Sequence, residues 1–209
     1  MAAGTPIARP LGVPWIHGSP SAKHNTDPDI QAHAYDEHTV ILRQNKAVNY
    51  EAPFLFLLFG AERAVLIDTG ATAEAEYFPL RATVDNLMAN WLARNPRDDY
   101  RLLVLHTHPH GDHIAGDGQF ADRPATTLIG AELPAAWPYF GFDRDAETIA
   151  RVDLGGGRVL ECLATPGHHE RRRSPTTTRG PASCSPATPS TPAGSTSTTG
   201  PPSAAPSNG

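Results

Sequence analysis

The chain has 209 residues, 39% of them hydrophobic and 19% charged, which is enough for one domain with a substantial core. Its formal net charge is −5, and the last 39 residues contribute only positive charge, from Arg171, Arg172, Arg173 and Arg179. The body before them is therefore more acidic still, which argues against nucleic acid as the main partner.

Taken in chain order, residues 1–14 lack a basic stretch followed by a long apolar run, and their prolines interrupt any helix that could serve as a secretion signal. The most apolar run, residues 54–59, is far too short to span a bilayer. A soluble cytoplasmic protein without membrane partners is expected. Cys162 and Cys184 are the only cysteines, so no disulfide framework is implied and a reducing compartment fits.

Residues 1–35 are polar and loop-rich, with Trp15 and Ile16 as the obvious anchors. From Thr39 the pattern turns to strand, over residues 39–42, 54–59 and 64–68, and the four-residue spacer 60–63 is of hairpin length. The period then changes. Leu80, Val84, Leu87, Met88, Trp91 and Leu92 fall at helical spacing, Pro79 suits a first turn and Pro96 ends the run. Leu102, Leu103, Val104 and Leu105 form a short continuous apolar run, as expected of a strand buried on both faces. Residues 126–129 and 158–163 read as two more strands, separated by a stretch rich in proline and aromatics over 133–142. Alternating strands and helices indicate an α/β (α+β layered) domain over residues 36–170, after a loop-rich segment 1–35.

The chemistry concentrates in His106-Thr107-His108-Pro109-His110-Gly111-Asp112-His113, which places four imidazoles and a carboxylate directly after a buried strand. Imidazole and carboxylate are the ligands that Zn²⁺, Fe²⁺ or Mn²⁺ select, and a strand end gives them a rigid base. Surface histidines in a polar loop account for one or two such residues, not for five at this spacing. One or two metal ions are the expected cofactor.

His108-Pro109-His110-Gly111-Asp112-His113, followed by Ile114-Ala115-Gly116, resembles the His-x-His-x-Asp-His signature of the metallo-β-lactamase superfamily. Leu66-Ile67-Asp68-Thr69-Gly70 resembles a strand of that family whose Asp supports the metal loop, and Thr165-Pro166-Gly167-His168 resembles its Pro-Gly-His element. The resemblance covers roughly residues 39–169 and implies the N-terminal portion of an αββα sandwich. It implies that His108, His110 and His168 form a first metal site, and that Asp112 and His113 belong to a second. Asp112 is also the candidate catalytic carboxylate. The implied reaction is attack of a metal-bound hydroxide on the carbonyl or phosphoryl centre of a small ester, thioester, lactone or related substrate. His106 lies outside the signature and is read as a strand-end histidine bonded to backbone; His169 is left open.

The sequence departs from the family after His169, beyond which it contains neither Asp nor His, so a bridging Asp and a final His are missing. Without the second half of the sandwich, one face of the first sheet should be left uncovered. Residues 171–209 hold eight Pro, eight Ser and eight Thr but no Val, Ile, Leu, Met, Phe, Trp or Tyr, and read as a disordered tail. That vocabulary is also what a GC-rich frame gives when read out of register. Shifted by one base, the tail can encode an apolar, strand-like string containing Gly-Asp, with the Asp codon spanning Ala187 and Thr188. A frameshift close to Glu170 is expected to have truncated the family sequence. Sequencing the coding DNA across that codon tests it, and an early stop in the shifted frame would contradict it. Two functions follow as expectations: a metallohydrolase of a small-molecule substrate, or an inactive truncated relic that binds at most one metal.

Overall fold

The computed structural model describes residues 11–18, 21–141, 149–164 and 182–186. Six strands form the first sheet in sequential order: β1 (Ile30–Ala34), β2 (Thr39–Gln44), β3 (Phe54–Phe59), β4 (Arg63–Ile67), β5 (Arg101–Leu105) and β6 (Thr126–Leu128). The first four are joined antiparallel; β4, β5 and β6 run parallel. The switch to parallel follows from the crossover helix α1 (Leu80–Leu92) between β4 and β5, since a parallel return needs a long connection. The expected strands and the expected helix are all present.

Helix α1 buries Leu80, Val84, Met88 and Trp91, one stripe at helical spacing, against one face of this sheet. Trp91 stacks on Phe59 with ring centroids 4.9 Å apart, and Leu42, Leu55, Leu57, Leu66 and Val104 complete this layer. The opposite face, through Leu58, Val65, Ile67, Leu103 and Leu105, packs on a second sheet of β7 (Ile149–Gly155), β8 (Arg158–Ala164) and β9 (Ala182–Pro186). The described layers are therefore helix, sheet, sheet. Strand alternation explains how one apolar strand serves both: in β3, Leu55, Leu57 and Phe59 face the helix while Leu58 faces the second sheet.

The second sheet is pinned by a half-buried guanidinium. Arg158 donates to the Phe59 carbonyl at 2.8 Å, to Thr39 Oγ1 at 2.8 Å and to the His38 carbonyl, and burial pulls its pKa below the usual arginine range. The turn joining β7 and β8 is Gly155-Gly156-Gly157, all at positive φ, and a Cβ on Gly155 would meet the Glu62 backbone nitrogen at 2.8 Å.

Several expectations need correction. The segment 1–35 contains β1, and Trp15 packs edge-on against Phe54 and His33 at 5.0 and 5.4 Å, so part of this segment covers the sheet's second face. The face expected to be left uncovered packs on the second sheet instead, with Phe54 37% and Phe56 36% exposed. Residues 133–140 form a helix, α3 (Leu133–Phe140), despite Pro138 within it. Five residues of the segment read as a disordered tail form β9, whose backbone pairs with β8 without needing apolar side chains; the rest of that segment lies outside the described residues. Cys162 is disulfide-bonded, against the expectation of no disulfide, and the ladder sets Cys184 opposite it. Sequence separation hides such a pairing, because it depends on strand register. Among the described residues no helix is long and apolar enough to cross a membrane.

Candidate metal centre

The parallel ladder pairs Ile67 with Leu105, so β4 and β5 end side by side, and Asp68 N–H donates to the Leu105 carbonyl at 2.8 Å. Asp68 then turns into the left-handed region at φ 65°, an uncommon conformation that Asp tolerates better than most residues. This turn leaves its carboxylate, 2% exposed as a residue, among the donors of the following loop. Thr107 N–H donates to Oδ1 at 2.8 Å, Thr107 Oγ1–H donates to Oδ2 at 2.9 Å, and His113 Nδ1 lies 2.8 Å from Oδ2.

A carboxylate only accepts, so His113 carries a proton on Nδ1, and in the neutral ring Nε2 holds the lone pair. That Nε2 lies 3.2 Å from Asp112 Oδ2. The Thr107 oxygen, its own proton committed to Asp68, accepts from His108 Nδ1 at 3.0 Å. His108 Nε2 is thereby left as a lone-pair donor, 3.0 Å from His110 Nδ1. One buried aspartate and one threonine thus set the tautomers of two histidines.

The loop is also closed at its far end. Thr69 N–H donates to the His113 carbonyl at 2.7 Å and Ala115 N–H to the Gly70 carbonyl at 3.1 Å. Gly116 passes so close that a Cβ there would lie 2.4 Å from the Thr69 carbonyl oxygen, so no other residue fits without moving the chain. The short helix α2 (Gly111–Ile114) carries Asp112 and His113 inside this closed loop. His113 feels opposing influences: burial pulls its pKa down, and the hydrogen bond and charge of Asp68, with Asp112, outweigh that and raise it.

The donor set can be tested against a metal. Two ligands about 2.0–2.1 Å from a tetrahedral Zn²⁺ stand roughly 3.3 Å apart. The pairs His108 Nε2 with His110 Nδ1, at 3.0 Å, and Asp112 Oδ2 with His113 Nε2, at 3.2 Å, both meet that spacing. A carboxylate behind a ligating imidazole is the usual support of such sites, and Asp68 stands in that position behind His113. Among the described residues no three His, Cys, Asp or Glu side chains gather as one cation site. His168, expected as the third ligand of the first site, lies outside the described residues, as does His169.

His106 does not do what was expected of it. Its side chain is fully enclosed, yet neither ring nitrogen has a hydrogen-bond partner, backbone or otherwise. Nε2 lies 3.3 Å from Asp117 Oδ1, near enough for an ion pair but misaligned for a hydrogen bond. Asp117 itself accepts from Thr69 Oγ1 at 2.7 Å. Sequence reading also passed over Tyr50, 76% exposed in the loop between β2 and β3. Its pKa is raised, first by the hydrogen bond with Glu51 and least by the charge of Asp112. No motif marks it; the signal available was that the β2–β3 hairpin turns at the same sheet end where β4 and β5 stop.

A layered sheet-on-sheet domain with a His/Asp loop at the parallel strand ends defines a class, and the family comparison agrees. The chain belongs to the metallo-beta-lactamase superfamily, whose family model matches residues 52–185. The match starts later than the sequence resemblance and runs past residue 170 to include most of β9. A hydroxyacylglutathione hydrolase of Rhizobium meliloti (strain 1021) is 33% identical over 101 residues, 48% of this chain and 36% of that enzyme. The chain thus spans about a third of the length of this curated relative. Among solved structures, a metallo-beta-lactamase from Pontibacter korlensis aligns with TM-score 0.46 at 19% identity, covering 75% of this chain and 66% of that one. Another from Erythrobacter litoralis aligns with TM-score 0.44 at 18% identity, covering 77% and 67%.

Proposed function

We propose that the chain is a metal-dependent hydrolase in which His108 and His110, with His168, hold one divalent cation and Asp112 and His113 contribute to a second. The observation that carries this reading is the approach of His108 Nε2 and His110 Nδ1 to 3.0 Å, with both rings oriented by a loop that Asp68 organises. Zn²⁺ suits this nitrogen-rich set best, and Fe²⁺ or Mn²⁺ also suits it. A cation held there would supply Lewis acidity toward a carbonyl oxygen and activate water.

The chain's own residues supply the positioning. Asp68 and Thr107 hold the imidazoles in the tautomers a cation needs, and Asp112, partly exposed beside them, can accept a proton from water at the same place. Tyr50 presents an exposed aromatic ring on the β2–β3 loop, at the sheet end where β4 and β5 stop, a surface for the organic part of a substrate. The Rhizobium relative is named for a hydroxyacyl glutathione thioester, and a thioester is the first substrate class to try, ahead of an oxygen ester or a lactone.

A second reading is a chain that binds one metal and turns nothing over, since the described residues bring their candidate ligands together in pairs and in no group of three. Purified protein loaded with Zn²⁺ separates the two. Thioester, ester or lactone hydrolysis that is lost in His108→Ala supports the hydrolase. One bound metal without turnover supports the inactive chain, and no bound metal contradicts both.

A further inference from the structure

The two strands that end at the candidate centre begin, at their other ends, with a pair of arginines. Arg63 opens β4 and Arg101 opens β5, and the parallel register sets them side by side. Strand alternation puts both on the face of Val65, Ile67, Leu103 and Leu105, the face turned to the second sheet. Like charges on neighbouring strands repel, and among the described residues neither guanidinium has an ion pair or a side-chain hydrogen bond that would offset this.

Arg63, half-buried, lines a cleft of about 200 Å³ between the start of β4, the end of α3 and the edge strand β7. The apolar wall is Phe140, packed on the core between the sheets, with Tyr139 edge-on to it at 5.2 Å and Ala150 and Val152 of β7. The turn that delivers Arg63 is tied to β7, since Glu62 N–H donates to the Leu154 carbonyl at 2.9 Å and Ala61 N–H to the Gly155 carbonyl at 3.3 Å. Arg151 and Asp153 also border the cleft, but Arg151 is paired with Glu161 at 3.0 Å and Asp153 accepts from Gly155 N–H at 2.8 Å. The charge of Asp153 opposes an anion, and Arg63 and Arg101 together outweigh it.

We propose that this cleft is a binding site for a small organic carboxylate with an aromatic or apolar body, Arg63 holding the carboxylate, Arg101 adding positive charge, and Tyr139 and Phe140 holding the body. A guanidinium meets a carboxylate in two parallel hydrogen bonds, and an aromatic wall accepts a ring edge-on or offset-stacked. The volume is below the roughly 300–1,000 Å³ of a pocket for a drug-sized molecule, so the ligand is a single ring or a short chain. Asp68 follows Arg63 by five positions, about 16 Å of strand rise, so the site is separate from the candidate metal centre and does not depend on it.

The test titrates the full chain, metal-free so that no cation competes for the carboxylate, with benzoate while backbone amide signals are followed. Saturable shifts are expected at Arg63, Tyr139, Phe140 and residues 150–153, with a Kd on the order of 1 mM for so small a ligand. Arg63→Gln should weaken binding about tenfold, the scale of a lost hydrogen-bonded charge, and Arg101→Gln about twofold. Benzamide, of the same shape without the charge, should bind about tenfold more weakly than benzoate. Equal binding of benzamide, wild-type affinity in Arg63→Gln, shifts confined to the His108–His113 loop, or no saturable shift would each overturn the proposal. If Arg63→Gln fails to fold, Arg101→Gln and the benzamide comparison decide it.

Discussion

The loop at the ends of β4 and β5 and the second sheet are fixed by different means. The loop has few apolar contacts of its own; it is held by hydrogen bonds that converge on Asp68, Thr69 and Thr107. The second sheet is held by Leu154, Leu160, Val152 and Cys162 against the first, with Arg158 as its polar pin. Hydrogen bonds are directional and set side-chain orientation to a fraction of an ångström, whereas apolar burial supplies stability with little angular demand. Binding geometry and fold stability should therefore respond to different substitutions.

The largest effect separating the two regions is expected at Leu154, fully buried between the sheets. Leu154→Ala should cost about 2–5 kcal/mol in denaturant unfolding of the metal-free protein. Zn²⁺ affinity of the folded fraction should stay within about twofold, because no loop contact is touched. An affinity loss in step with stability would merge the two regions into one. Asp68→Asn should do the reverse: Zn²⁺ affinity falls about 10–100-fold, since an amide can neither accept as strongly from Thr107 nor hold His113 on Nδ1. Equilibrium dialysis checks it, and unchanged affinity would remove Asp68 from the account.

The smallest effect is a pH dependence confined to the loop. The folded pKa of His113 is raised above its ordinary value, so its contribution to stability is complete below about pH 6.5 and fades as pH rises through the raised value. Metal-free wild type should exceed His113→Gln in unfolding free energy by more at about pH 6 than at about pH 9. A gap that widened with pH would contradict the assignment of Asp68 and Asp112 as the charges that raise it.

How much could be read from sequence follows the same division. His108, His110, Asp112 and His113 stood out as candidates because they lie within six positions of one another after an apolar run, whereas β3, β5 and α1 were legible because their periodicity is uninterrupted. Strand β1 was hidden by its mixed composition, with Gln31 and His33 on the face that Trp15 covers. Strand β7 alternates as a half-buried strand should, yet Ala150 and flanking charges dilute the signal. Helix α3 was obscured by Pro134 and Pro138, which read locally as turn residues. Asp117 meets His106 only through tertiary packing, and the enclosure of His106 has no local signature at all.

The central claim is that His108 and His110 donate their paired nitrogens to a divalent cation. Isothermal titration of the metal-free protein with Zn²⁺, beside His108→Ala and His110→Ala, tests it most directly. The account expects saturable binding by the wild type, with at least a tenfold loss in each variant and an unchanged far-ultraviolet spectrum. Binding that persists in both variants at wild-type affinity would contradict it.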